Sequence, residues 1–435
     1  MKTLNKLLIV ALIFLAFNSC EVEDGKNLNG ADTTSISEDV SRGELGDAIG
    51  GILSDMRVRI ETQVDATSVL GREYWRIQSS DPRWTGDLLT GQLDDNTFYT
   101  TAPYSARYAT VKDINLVLEG LGNSTADFTD AEKAAARGFV NTLKAHELLM
   151  VLNAQYQNGI RIEVSDPDNL GSFVSYSEAL SSISSILSDA SSDLLNAGAS
   201  FPFSIPSGFA DFNTPSTFDE FNKSLAARVA VYQGNFTDAL TFLSESFLDL
   251  GGDLNSGAYF TFSLTGADLP NQLFFAQNST VANARIAHPT FISDAEAGDT
   301  RLNKAPMRDA PLTADDLTGD NDVFIYQSNV DPVGIIRNEE LILLYAEANQ
   351  ISDPTESVNA INIIRNAAGL ANYSGGTAPA DLVNEILQQR RYSLFAEGGH
   401  RWIDLRRYDK LGELPLDRPG DGTVAQFPIP QNENQ

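Results

Sequence analysis

The chain has 435 residues, with 59 acidic against 30 basic side chains and a formal net charge of −29. Such a field repels polyanions, and no basic run offsets it, so nucleic acid is excluded as a partner. The single cysteine, Cys20, leaves no intramolecular disulfide and no zinc or iron–sulfur site built from cysteines.

At the N-terminus Lys2 and Lys6 precede an apolar run, Leu7 to Phe17, that is too short to span a bilayer. Residues 1–19 therefore read as a signal peptide. The run closes on Asn18, Ser19 and Cys20, which resembles the lipobox of bacterial lipoproteins, where the cysteine is lipidated and becomes the new N-terminus. Residues 20–40 have little to bury and read as a flexible tether. Their acidic start, Glu21, Glu23 and Asp24, resembles a surface-export signal and equally fits an ordinary solvated linker. No second long apolar stretch follows, so the lipid on Cys20 is the expected membrane anchor.

Residues 41–435 read as one domain whose strongest periodicities are helical and paired. Helical pairs are expected near 107–157, 175–247 and 335–397. Leu180, Ile183, Leu187, Ala190 and Leu194 form an amphipathic stripe, and Leu225, Val229 and Tyr232 another, stopped by Gly234 before a run through Ala239 and Leu243. Leu341, Leu344, Tyr345 and Ala348 repeat the pattern; the next helix has Asp353 as N-cap, Pro354 in its first turn, Glu356 for a capping box and Gly369 as stop. Helix, tight turn, helix is the logic of tetratricopeptide-like repeats. Between the pairs lie Gly-, Pro-, Asn-, Asp- and aromatic-rich stretches at 65–106, 198–218, 251–334 and 409–435. The expected fold is mainly α: a tetratricopeptide-like platform of helical pairs carrying a loop-rich irregular subdomain.

Three C-terminal segments, in order, resemble the SusD/RagB family of nutrient-uptake lipoproteins. They are Arg337 to Ala348 with Ala360–Arg365 and Ala368–Leu370, then Ile386 to Gly398 with Arg401–Arg407, and finally Phe427 to Glu433. Asp299 and Arg301 extend the likeness. The insertion of Gly398, Gly399 and His400 departs from the family pattern. The motif charges, including Glu340, Glu347, Arg365, Arg390, Arg391, Glu397, Arg401, Asp404 and Arg406, are expected to pair across neighbouring helices. The resemblance implies a SusD-like fold and an outer-membrane, surface-exposed lipoprotein that binds oligosaccharide or polysaccharide. It also implies a SusC-like TonB-dependent transporter as partner and no catalysis. A surface glycoside hydrolase and a helical-repeat scaffold for proteins are the alternatives.

Enzyme signatures are missing. His146 to Met150 begins like a zincin helix, but Met150 stands where the second histidine ligand is needed, so the segment reads as core helix. There is no P-loop, and three histidines with no serine elbow supply no recognisable triad. No cofactor and no catalytic metal are expected; Asp315, Asp316, Asp320 and Asp322 read either as a structural calcium site or as a solvated acidic loop.

A sugar site needs an aromatic platform against the apolar ring face and hydrogen-bonding groups around it. The densest such segment holds Arg72, Tyr74, Trp75, Arg76, Asp81, Arg83, Trp84, Tyr99, Tyr104 and Tyr108, with Trp75 or Trp84 as the expected platform. Arg72, Arg76 and Arg83 make a basic island that can recognise a carboxylated sugar, donate to hydroxyls, or merely pair with Glu73 and Asp81. A second candidate, within 259–278, offers Asn271 and Gln272 beside several aromatic residues.

Overall fold

The chain turns helical earlier than its composition suggests. In the computed structural model, which describes residues 33–266 and 268–434, α1 (Thr33–Asp39), α2 (Arg42–Asp55) and α3 (Ile60–Leu70) precede the first strand, β1 (Tyr74–Ile77). Cys20 and the rest of residues 1–32 lie outside the described residues. The stretch 33–40, assigned to the tether from sequence, instead forms α1 and a buried Val40. Ser41 and Glu44 cap α2 reciprocally, and Leu45, Ile49 and Ile52 form its buried stripe. After α4 (Arg83–Thr90) comes the long α5 (Phe98–Asn123), against which α1 packs. A Cβ at Gly120 on α5 would fall 1.9 Å from the Ile36 carbonyl oxygen, so only glycine admits this contact.

Successive helices then stack. α6 (Asp130–Gln155) lies on α5, the short β2 (Ile160–Arg161) and β3 (Phe173–Val174) pair, and α7 (Tyr176–Leu195), α8 (Pro215–Tyr232) and α9 (Phe236–Ser244) each pack on the helix before. The crossing of α6 and α7 is tight at Gly138, where a Cβ would meet Leu194 Cγ at 2.6 Å. The stretch 198–218 folds back as core, because Phe201, Phe203 and Phe209 join Phe139 and Phe218, whose rings stack at 4.4 Å.

The irregular subdomain contains short strands. β4 (Gly257–Phe260) pairs antiparallel with β8 (Val333–Arg337), and β5 (Ala284–Ala287), which leads into α10 (Pro289–Ser293), pairs antiparallel with β1. β6 (Met307–Ala314) and β7 (Leu317–Asn321) form a hairpin whose turn residues, Asp315 and Asp316, have φ of 53° and 60°. A second helical stack follows: α11 (Asn338–Asn349), α12 (Pro354–Ala367), α13 (Pro379–Ser393) and α14 (His400–Arg407). The Asp353 cap and Pro354 start of α12 are as expected, and Gly369 follows it at φ 80°. The inserted glycine has a structural reason: Gly399 sits at φ 70°, and a Cβ there would meet Thr67 Oγ1 of α3 at 2.2 Å.

Buried charge ties the stacks together. Arg228 of α8 grips Glu340 of α11 through Nε and Nη2 at 2.8 and 2.7 Å. Arg390 of α13 donates to Asp404 at 2.6 Å, while Arg407 of α14 donates to Asp404 and Glu347 at 2.8 Å each. Arg337 holds Glu397 and Glu339, and Arg365 holds Glu296 and Glu385. Arg401 and Arg406 do not follow the expected pairing: Arg406 lies over the rings of Tyr156 and Trp402 instead, at 4.4 and 4.5 Å. Burial alone would raise the Asp404 carboxyl, but Arg390 and Arg407 outweigh it and hold the group below the ordinary carboxylate range.

Asp404→Asn strips two buried guanidiniums of their shared anion and is expected to cost roughly 3–5 kcal/mol in urea unfolding at pH 7. Because the folded-state pKa is depressed, this stabilisation is present above the unfolded-state value and disappears as pH falls through the folded one. Wild type and variant should therefore converge in acid; equal midpoints at pH 7 would show that the pairs contribute nothing net.

Candidate functional site

The segment richest in aromatic residues is packed inside. Trp75 is 4% exposed, donates from Nε1 to Asp417 at 2.9 Å and meets His288 edge-on; Trp84 is 6% exposed, donates to Gln78 and packs on Phe98. A stacking platform needs an open ring face, and neither indole has one. Tyr74 is buried and donates to Asp65, and Tyr99 is buried and donates to Asp87. The basic island dissolves as well. Arg72, buried at φ 53°, donates to the carbonyls of Leu89, Pro415 and Gly422. Arg76 joins Arg285 around the buried Asp65, and Arg83 pairs with Asp81 at the surface. Of the second segment, Asn271 is buried and bridges to the Asp331 carbonyl, while exposed Gln272 lines a small cavity of about 250 Å³ beside Arg57.

Nor do the four aspartates converge. Asp315 and Asp316 form the β6–β7 turn and Asp322 is paired with Arg308. Among the described residues no group of three or more His, Cys, Asp or Glu side chains is placed to hold a metal ion. His146 is core, as expected, with Nδ1 3.0 Å from Glu147.

Tyr104 and Tyr108 are the sequence-selected residues that reach open space of useful size. They line a cavity of about 820 Å³ whose floor is one face of α5, with Lys112, Asn115 and Glu119 at helical spacing. The opposite wall is the 164–170 loop, where Leu170 is 44% exposed, and Arg161 and Glu433 close one side. The Tyr104 and Tyr108 rings lie 4.8 Å apart, tilted by 53°. Tyr108 is fixed, since its hydroxyl donates to the Arg161 carbonyl at 2.8 Å and accepts from the Arg161 N–H at 3.0 Å. Arg161 is itself clamped by Glu433 and the face of Phe173. The Tyr104 hydroxyl, on a ring 6% exposed, has the Tyr108 hydroxyl as its neighbour, and the Asn115 amide nitrogen, whose oxygen accepts from Lys144, has no partner. Burial raises the Tyr104 phenol, which keeps it a neutral donor. Flat rings beside unused donors suit a ligand with an apolar face and a hydroxyl rim.

Residues 325–433 match the SusD family model. The likeness to the SusD family in sequence is thus carried by the C-terminal segment. SusD-like protein P38 of Formosa agariphila is 41% identical over 98 residues, 20% of this chain and 19% of that relative, so the match spans about a fifth of the curated relative. The fold likeness is far wider. A SusD superfamily protein of Bacteroides vulgatus superposes over 91% of this chain and 96% of its own, with a TM-score of 0.68 at 14% identity. Surface glycan-binding protein A from Bacteroides uniformis does so over 90% and 97%, with a TM-score of 0.66 at 16% identity. The SusD-family match includes Glu433 of the large cavity but stops short of α5 and the 164–170 loop. The aromatic wall therefore lies outside the motif-bearing part, and the clue available from sequence was the i, i+4 spacing of Tyr104 and Tyr108.

Trp75→Ala and Trp84→Ala are expected to lower stability by roughly 3–5 kcal/mol each, as large-to-small core changes do. Thermal and urea unfolding measure this; a variant with an unchanged midpoint would return that indole to the list of candidate platforms.

Proposed function

We propose that this protein is a SusD-like cell-surface lipoprotein of the outer membrane that captures oligosaccharide without cleaving it. In this reading it delivers the glycan to a SusC-like TonB-dependent transporter. The observation that carries the binding step is the 820 Å³ cavity, which sets two tyrosine rings beside an unpartnered amide. A buried donor without a partner costs roughly 1–3 kcal/mol, a deficit that a sugar hydroxyl removes on binding. The tyrosine rings take the C–H face of a pyranose, and Lys112, which makes no hydrogen bond or ion pair among the described residues, stands at the rim. The fold shared with a surface glycan-binding protein of Bacteroides uniformis supports the same reading. Lipidation of Cys20, at the end of the signal-like run, would supply the anchor. Among the described residues no helix is long and apolar enough to cross a membrane.

Affinity gels across polysaccharide classes first identify the cognate glycan. Tyr108→Ala is then expected to weaken binding by about 1–2 kcal/mol, roughly 5- to 30-fold in Kd, with helix content unchanged. Tyr104→Phe separates function from stability: removing a hydroxyl whose one polar neighbour is Tyr108 should shift the unfolding midpoint little while weakening glycan retention. If both variants are retarded like wild type, the cavity is not the glycan site. Release of reducing ends in proportion to protein would instead favour a glycoside hydrolase.

For delivery, native protein extracted in mild detergent should co-purify with a large outer-membrane barrel. Its absence would leave a free-standing glycan-binding lipoprotein, and a co-purifying protein without any glycan binding would favour a protein scaffold.

A further inference from the structure

A second cavity, of about 430 Å³, opens between α13 and α14 and shares no residue with the first. Its charged side chains are nearly all matched. Arg391 pairs with Asp294 at 2.9 Å, Lys410 with Glu413 at 2.6 Å, and Asp404 is held by Arg390 and Arg407. Arg401 is the exception: its one hydrogen bond runs from Nη1 to the Arg72 carbonyl at 2.9 Å, and among the described residues it enters no ion pair. Arg391, 7% exposed, also keeps an unpartnered Nε. Arg401 thus lines the cavity with unused N–H donors and no carboxylate partner, beside Arg391, whose two Nη atoms donate to Asp294 and Thr290.

We propose that this cavity is a second binding site, taking the carboxylate of a hexuronic acid between Arg391 and Arg401. A guanidinium fork matches a carboxylate in shape and charge, and the bond is stronger where water is excluded. The remaining walls fit the rest of such a sugar. Leu387 and Leu405 offer an apolar surface to the C–H face of the ring, and the Asn384 amide and the oxygen of the Gln388 amide, whose nitrogen donates to the Asp294 carbonyl, can meet hydroxyls. The acidic rim of Asp294 and Glu413 disfavours a more highly charged anion such as phosphate. Burial first, then repulsion from Arg391, pushes the Arg401 guanidinium down to about 9, consistent with a charge that lacks its counter-ion. Nearby Glu73 does not supply one, because burial pushes its carboxyl up to about 7 and an oxygen of that carboxyl accepts from the Ala396 N–H at 3.2 Å.

The inference is independent of the tyrosine cavity and is tested with different probes. Isothermal titration of the purified protein with glucuronate and galacturonate should show binding, with at least a tenfold weaker response to glucose, to the methyl ester of glucuronate and to sulfate. Gln388→Glu places a carboxylate at the cavity wall in place of the amide that donates to the Asp294 carbonyl, and should weaken uronate binding at least tenfold with retention in neutral-polysaccharide gels unchanged. Arg401→Gln should have the same effect if it folds; the Gln388 variant decides the matter if it does not. Uronate and glucose binding alike, sulfate binding as tightly as uronate, no uronate binding at millimolar concentration, or a Gln388→Glu variant that binds like wild type would each overturn the proposal.

Discussion

Asp404 accepts from Arg390 on α13 and from Arg407 on its own helix, and Arg407 continues to Glu347 on α11, all within a dry interior. One helix further, Arg228 reaches across from α8 to Glu340. Such pairs add little over well-packed apolar contacts, yet separating one leaves an ion without water or partner and costs several kcal/mol. Sliding α14 along α11 separates Arg407 from Glu347, and sliding it along α13 separates Arg390 from Asp404. The charges therefore register the helices of the second stack on one another, and Arg228 with Glu340 registers that stack on the first, which Cys20, the chain's single cysteine, cannot do through a disulfide.

The same platform places the cavities. α5 is fixed on one side by α1, through the close approach at Gly120, and on another by Arg107, whose buried guanidinium pairs with Glu147 of α6 at 2.9 Å. With two of its sides held, the face bearing Tyr104, Tyr108 and Asn115 is left toward the 164–170 loop. That loop returns to the body through β2 and β3, where Arg161 ties it to Tyr108 and to Glu433 at the far end of the chain. A rigid helix thus supplies the rings and a tethered loop supplies the cover, an arrangement suited to a ligand that enters from solvent.

What was legible in the sequence follows from which residues keep one wet face. α7, α11 and α12 were visible because their stripes or caps are local: Leu180 to Leu194, Leu341 to Ala348, and Asp353 with Pro354. α3 was not, because it is buried nearly all round; Thr62, Gln63, Asp65, Thr67 and Ser68 are inside along with its aliphatic residues, so no polar face marks a period. Asp65 earns that position only through Arg285, 220 residues away. Trp75 misled for the same reason. Aromatic density looks alike whether a ring is open or covered, and the group that fixes this indole, Asp417, is 342 residues distant. Tyr104 was among the selected residues, but its cover and its neighbour Glu433 come from elements that only the fold assembles.

In both cavities the informative groups are those the protein leaves unmatched. Most buried polar atoms of a folded chain are satisfied, so an exception at a cavity wall has more weight than another aromatic residue in a loop. The matched groups supply the contrast. Arg72 is as buried as any residue here and also lacks a carboxylate contact, yet its donors are used on backbone carbonyls, which is the structure of a clamp. Arg406 has free nitrogens but lies between two aromatic faces that stabilise a cation. The Asn115 amide nitrogen has no such substitute, and Arg401 has one carbonyl for a fork of five donors. An unmet donor facing a space large enough for a sugar is a demand on the ligand's chemistry, whereas one enclosed by carbonyls or rings has already been answered by the fold.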